Sequence, residues 1–270
     1  MGRISKNKRI GVITKILVEN PNKIFTLNYF TEQFNCAKST LSEDIDVIEE
    51  LFNEYNLGKI KSIAGASGGI IYKPVVSKEQ VSEITDELCD KLDDKTRVIS
   101  GGYLYMNDIF YEPEMVFRIG KALANPFYDT EVDYVVTIET KGIPVALMTA
   151  RILNKPMVVV RKSSKLTEGT TIQMNYITGS SKTIKTMSLA KRSIEKGAKV
   201  LFIDDFMKAG GTAKGIMDLM NEFEANLIGV GVVMVTKTPQ QKLVENFYSL
   251  LELEEINEEN NKIKVVPCFK

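Results

Sequence analysis

The sequence predicts an α/β protein in two parts: a small helical domain closed by a hairpin, then a larger domain on a mainly parallel sheet. Three observations carry that expectation. Up to residue 73, apolar positions recur at helical spacing three times before two short extended segments follow. Beyond residue 98, strand-like apolar runs at 132–138, Met157–Val160, 199–203 and 227–235 alternate with helix-periodic segments, the α/β signature. Between the two lies Lys73-Pro74, which ends the hairpin, so the domains are expected to span residues 1–74 and 75–270.

In the first part, Ile10, Ile13 and Leu17 form one helical stripe, closed by Asn20-Pro21-Asn22, and Leu27, Phe30 and Phe34 form a second. A third helix starts at Lys38-Ser39-Thr40, with Thr40 and Glu43 placed as a capping box and Leu41, Ile45, Ile48 and Phe52 inward. Lys59–Ile63 and Gly69–Lys73 read as a hairpin around Ala64-Gly65-Ala66-Ser67-Gly68. Three helices and then a hairpin is the order of a winged helix-turn-helix. Such a domain sets the N-terminal end of its third helix in the DNA major groove, while hydroxyls and cations grip phosphates. Lys38, Ser39, Thr40 and Ser42 suit that end; Arg3, Lys6, Lys8 and Arg9, with Lys59 and Lys61 on the hairpin, add candidate phosphate contacts. The acids Glu43, Asp44, Asp46, Glu49 and Glu50 repel DNA, so only the helix's first turn is expected near a duplex. Winged helices also serve as dimerisation or docking modules, and these residues leave both uses open.

Composition narrows the rest. The chain has 270 residues, 44% of them hydrophobic, enough for one large core or two ordinary ones. No apolar stretch approaches a membrane span and the polar start GRISKNKR is not a secretory signal, so a cytoplasmic protein without membrane partners is expected. Three distant cysteines, Cys36, Cys89 and Cys268, support neither a disulfide framework nor a metal site. Histidine is absent, which removes triad hydrolases and His-zinc enzymes. The formal net charge is +0, but cations crowd the start of the chain while Glu252, Glu254, Glu255, Glu258 and Glu259 crowd its end.

In the second part, residues 77–92 read as a helix with Val81, Ile84 and Leu88 inward, and Pro113 opens another carrying Val116, Ile119, Ala122 and Leu123. After the strand at 132–138, the loop Glu139-Thr140-Lys141-Gly142-Ile143-Pro144 hands over to a helix at 145–153 started by Pro144, and can offer N–H groups and one cation to an anion. Residues 161–192 are basic, with a predicted hairpin that turns at Thr178-Gly179-Ser180-Ser181, either a lid or a solvated arm. The sharpest signal is VLFIDDFMKAGGTAKGIMDLM at 200–220: a buried strand, two acids, a small turn, then a helix inward at Ile216, Leu219, Met220 and Phe223. Ligands of open α/β sheets sit at such carboxyl ends. The turn Ala209-Gly210-Gly211-Thr212 can aim N–H groups at a phosphate, while Asp204 and Asp205, acceptors only, suit the hydroxyls of an attached ribose. Lys208 precedes the glycines, which excludes a Walker loop.

This run resembles the phosphoribosyl-pyrophosphate (PRPP) motif of type I phosphoribosyltransferases, and Thr140-Lys141-Gly142 resembles their pyrophosphate loop. The resemblance implies that Asp204 and Asp205 take the ribose, that Phe206 and Met207 lead into a 5-phosphate cradle of Lys208, Ala209, Gly210, Gly211 and Thr212, and that Thr140, Lys141 and Gly142 take the pyrophosphate. With AKSTLSED, SGGYLYMNDI, TKGIP, VVRKSSKLTEGTTIQMNYITGSS, TMSLAKR and IDDFMKAGGT together, the chain is similar to the purine operon repressors of Gram-positive bacteria across essentially its full length. That resemblance implies a homodimer repressing purine synthesis and transport genes at paired sites on double-stranded operator DNA, with PRPP as inducer. It implies no required cofactor and no protein metal site, beyond any Mg2+ carried by PRPP. Phe206 and Tyr103 are candidates to flank a base, so a purine nucleotide with extra phosphates, such as guanosine tetraphosphate, is an expected competitor; an ordinary buried tyrosine is the other reading of Tyr103.

The competing expectation is an active purine phosphoribosyltransferase with an accessory winged helix. Ala209 stands where the enzymes' loop commonly has Thr, and Lys208 adds a cation they usually lack. No segment reads as a base-specificity site. Both features favour sensing over catalysis.

Overall fold

Residues 4–65, 68–101, 103–164, 166–178, 183–258 and 262–268 are described in this computed structural model, and Arg3, Ala66, Ser67, Gly179, Ser180, Ser181 and Glu259 lie outside them. The chain divides into two units, the first through Ser77 with Ile152–Asn154 grouped to it, the second from Lys78 onward.

In the first unit, helices α1 (Lys6–Glu19), α2 (Leu27–Phe34) and α3 (Lys38–Glu54) precede strands β1 (Lys59–Ile63) and β2 (Gly69–Lys73), an antiparallel hairpin in register from Lys59↔Lys73 to Ile63↔Gly69. The helical stripes meet as one core: Ile13, Leu17, Phe30, Phe34, Leu41, Ile45, Ile48 and Phe52 are buried together with Ile60, Ile70 and Tyr72 of the hairpin. Full burial of each such side chain contributes about 1.5–3 kcal/mol. Phe25 bridges Ile70 through its backbone, and a Cβ on the neighbouring Gly69 would lie 2.1 Å from the Phe25 carbonyl oxygen, so only glycine fits there.

The expected capping box does not form. Ala37, in extended conformation, is the N-cap of α3 without a side-chain bond, so Thr40 falls inside the first turn and is half-buried. The chain turns helical too early for the Thr40 hydroxyl to reach the free N–H groups at the helix end. Thr26 instead caps α2, accepting from the Tyr29 N–H at 3.3 Å.

In the second unit, α4 (Lys78–Leu92) buries Val81, Ile84, Leu88 and Leu92. Short strands β3 (Val98–Ile99) and β4 (Tyr103–Leu104) pair antiparallel ahead of α5 (Asn107–Phe110) and α6 (Pro113–Ala124). There follow β5 (Tyr134–Ile138), α7 (Gly142–Leu153), β6 (Met157–Val160), β7 (Thr171–Ile177), β8 (Ile184–Ala190), β9 (Lys199–Met207), α8 (Gly211–Glu222), β10 (Asn226–Thr236), β11 (Tyr248–Asn257) and β12 (Lys262–Pro267). The helix expected to start at Pro144 begins two residues earlier, leaving Pro144 in its first turn, where a missing N–H costs nothing.

The six-stranded sheet has the order β12-β11-β10-β9-β5-β6, parallel throughout except for the antiparallel edge strand β12. From β5 the chain crosses over to β6 on one side, and from β9 to β10 on the other. The strand order therefore reverses between β5 and β9, where open α/β sheets open a ligand crevice at their carboxyl ends. Pairing across this point stops early, at Val136↔Phe202. Past it, β9 runs on against β10, with Asp204 opposite Val232 and Met207 opposite Val235. The sequence places the strand end at Ile203; the acids lie instead inside the strand's last turns of pleat, because pairing with the long β10 keeps the backbone extended.

Strands β11 and β12 have no counterpart in the expectations drawn from sequence. Their acids are tied down locally: Glu254 pairs with Lys237 and Lys264, and Glu255 with Lys262. Those two lysines hold the Glu254 carboxyl down at about 2. Among the described residues no helix is long and apolar enough to cross a membrane, and no cluster of metal-ligating side chains occurs.

Candidate functional site

A cavity of about 730 Å³ opens at the switch point. It is lined by Lys141 after β5, by Asp204, Asp205, Phe206 and Met207 on β9, and by Lys208, Ala209, Gly210, Gly211 and Thr212 leading into α8. Tyr103 joins from the β3–β4 hairpin and is 69% exposed, so it is not the buried tyrosine of the alternative reading. Two expected residues stand apart. Thr140 is exposed and does not line the cavity, and Gly142 is buried beneath it. A Cβ on Gly142 would come within 2.5 Å of Asp204 Oδ1 and 2.8 Å of Thr137 Oγ1, so this glycine lets the start of α7 close on β9 and β5. The Glu139–Thr140 peptide that precedes it is cis.

The loop after β9 is held from behind. The Lys208 carbonyl accepts from Thr236 Oγ1 at 3.0 Å and Lys242 Nζ at 2.7 Å, Ala209's accepts from the Leu243 N–H at 2.9 Å, and Gly210's from the Lys214 N–H at 2.9 Å. Peptide planarity then points the N–H groups of Ala209, Gly210 and Gly211 the opposite way. Gly210 has φ +81°, a left-handed conformation that suits glycine at this turn. The result is a row of donors at the start of a helix, an anion cradle. Burial pushes the Tyr176 phenol of β7 up, and the nearby Thr212 hydroxyl works against that shift.

The two acids form a strained electrostatic pair. Asp204 is 7% exposed, and the Asp205 N–H donates to its Oδ1 at 3.0 Å. Burial, and after it the adjacent Asp205 charge, push the Asp204 carboxyl well above the usual carboxylate range; burial raises Asp205 as well. Lys162 and Lys141 act on this pair from a distance and favour its charged form. Lys162 carries no motif signal beyond its place in a basic stretch. Lys242, which braces the loop, has none at all.

The β7–β8 hairpin is neither a free arm nor a separate lid at its base. Tyr176, Met187, Leu189 and Ala190 are buried in the core, and Gly215 of α8 makes room for Tyr176 and Met187. Its outer end supplies Thr178 and Lys185 to the cavity wall. Arg161 is not part of the free basic surplus expected here: its guanidinium pairs with Glu139 at 2.9 Å and Glu168 at 3.0 Å.

On the first unit, Lys6, Lys8, Lys38, Ser39, Ser42, Lys59 and Lys61 are all exposed, as phosphate or base contacts require. Arg9 is not. It is 5% exposed, with Nε on Asp44 Oδ2 at 2.6 Å and Nη2 on Oδ1 at 3.1 Å, so it cannot reach a phosphate and is withdrawn from the contact set. Helical spacing explains the error, since position 9 shares the inward face with Ile13 and Leu17.

Comparison with known proteins adds the family. Residues 5–74 match the family described as bacterial purine repressor, N-terminal, and residues 106–268 match the phosphoribosyl transferase domain. The purine biosynthesis transcriptional repressor PurR of Bacillus subtilis is 40% identical over 97% of this chain and 92% of its own length. The purine biosynthesis transcriptional activator PurR of Lactococcus lactis subsp. lactis is 36% identical over 97% of each. A crystal structure of adenine phosphoribosyltransferase from Saccharomyces cerevisiae aligns with TM-score 0.54 and 25% identity, covering 98% of that enzyme but 62% of this chain. The enzyme accounts for the cavity and not for the winged helix ahead of it, whereas the regulators account for both, and the chain belongs to the bacterial purine repressor family.

Proposed function

We propose that the protein is a DNA-binding transcriptional repressor of purine biosynthesis and transport genes, with PRPP as its inducer. The observation that carries this is the cavity at the switch point, where buried Asp204 and half-buried Asp205 stand beside an anion cradle in a chain whose residues 5–74 match a repressor domain. The cradle suits a 5-phosphate, the ionised Asp204 and Asp205 suit the two ribose hydroxyls, and Lys141 suits the pyrophosphate. Exposed Lys38, Ser39 and Ser42, with Lys6, Lys8, Lys59 and Lys61, suit a duplex. The protein acts as a homodimer on paired operator sites. A guanine nucleotide with extra phosphates, such as guanosine tetraphosphate, competes with PRPP by setting its base against Tyr103 and Phe206.

Induction is linkage: PRPP prefers an arrangement of the dimer that holds operator poorly, so operator affinity falls by the ratio of the two PRPP affinities. A gel shift on a purine-gene promoter titrated with PRPP tests this, with adenine, guanine and xanthine turnover measured on the same sample. The expected result is a shift that PRPP reverses and guanosine tetraphosphate restores, without turnover. Turnover, or a shift indifferent to PRPP, replaces the reading with that of an enzyme or of an unregulated binder. A relative named as an activator makes the direction of the transcriptional effect worth measuring from the same promoter.

A further inference from the structure

We propose that Arg9 is a positioning residue for DNA recognition: paired with Asp44, its guanidinium sets the second turn of α3, directly behind its exposed N-terminal end, against the start of α1. The inference rests on the DNA-binding reading above. Three donors of one side chain are used, Nε and Nη2 on the two Asp44 oxygens and Nη1 on the Ile4 carbonyl at 2.7 Å. Asp44 is 1% exposed, so the pair is out of water at both ends.

Stability does not account for such a pair, because well-packed apolar residues of similar volume generally hold a core as well or better. What the two-pronged contact adds is direction, since guanidinium and carboxylate must lie in one plane. The placement gives that direction a use. Asp44 lies two residues after Ser42, roughly 200° round the helix from it, so the pair grips the inner face of the turn whose outer face carries Ser42. The third donor grips Ile4, two residues before exposed Lys6. One side chain thus registers both groups of candidate DNA contacts against each other. The pair also sets a positive charge against one acid of a helix whose outer face carries Glu43, Asp46 and Glu50.

The test uses the full-length protein, a purine-gene promoter duplex and a scrambled duplex, followed by fluorescence anisotropy over a range of salt. In the Arg9→Met/Asp44→Leu double variant, both charges go and no buried ion is left alone. It is expected to unfold in urea no earlier than the native protein. Its promoter affinity is expected to fall about tenfold, the promoter-to-scrambled ratio falling with it, at an unchanged salt slope. Arg9→Lys keeps the charge and loses the fork without asking the core to repack; about threefold weaker promoter binding at the same slope is expected. Native promoter affinity and ratio in both variants would overturn the proposal. So would a salt slope reduced by about one, the mark of a lost phosphate contact. If the native protein itself fails to bind the promoter, the DNA-binding reading falls and this inference falls with it.

Discussion

Two pairs of charged groups in the chain lie wholly or largely out of water, and they are opposites. Arg9 and Asp44 are unlike charges that satisfy each other through two hydrogen bonds, with a third from Arg9 to the Ile4 carbonyl. Asp204 and Asp205 are acids on neighbouring residues, the first buried and the second half-buried, where loss of water raises both carboxyls and the Asp205 charge raises Asp204 further. The first pair is complete in the free protein. The second is completed only when donors arrive, and a ribose diol brings two. A buried charge with its partner built in is architecture, and one without is a binding site in waiting.

Breaking the complete pair is expected to have the largest effect. Asp44→Ala strands the guanidinium in the core and costs about 3–5 kcal/mol, read as an earlier urea midpoint. Asp204→Asn works the other way. Removing a carboxylate from a crowded, buried site leaves folding stability unchanged or higher at neutral pH, yet lowers PRPP affinity by about 1.5–3 kcal/mol, roughly 10- to 150-fold. Calorimetric titration with PRPP measures this, and a normal affinity would remove Asp204 from the site. Gly142→Ala pushes a methyl into Asp204 and Thr137, with an expected loss of about 1–3 kcal/mol in stability and a parallel loss of PRPP response.

The pH dependence sharpens the contrast further. Asp204 holds its proton in the folded protein to a higher pH than in the unfolded chain. Its contribution to stability is therefore greatest below the usual carboxylate range and declines as pH rises toward its raised value, by at most about 1.4 kcal/mol per pH unit for one proton. On the proposed reading PRPP takes the ionised pair, so its binding is expected to strengthen over the same interval and to release protons, detectable by titration in buffers of different ionisation enthalpy. Asp204→Asn is expected to reduce that proton release, leaving the part that Asp205 supplies. The smallest effect is at the surface: Lys38→Ala leaves stability alone and lowers the salt slope of operator binding by about one.

How much of this was legible before folding differs by region. The strand-turn-helix at 200–220 was readable because everything it needs is local: apolar residues, then acids, then small residues, in order along one stretch. The early helices were readable from periodicity, and α3 starts at Lys38 as expected, though its cap was not readable. A capping box matches four residues in sequence, while the true boundary depends on the extended Ala37. Strands β11 and β12 went unread because YSLLELEEIN mixes apolar and acidic residues without a clean period of two. Lysines on β10's flank and on β12 make those acids tolerable there, and no local pattern shows a partner from another strand.

By itself, then, the sequence determined the early helices, the strands up to β10 and the glycine turn that follows two acids, because these depend on residues within one turn or one strand. Only the tertiary structure decided what each charge is for. Lys6, Lys8 and Arg9 are three cations in four positions and look alike in a sequence. Packing α1 against the rest of its unit turned one of them inward to an acid 35 residues away and left two in water. Likewise the cavity depends on β5 lying next to β9, a neighbour relation that strand order sets and no stretch of sequence contains. Charge acts through space, and what lies near a residue is a property of the fold.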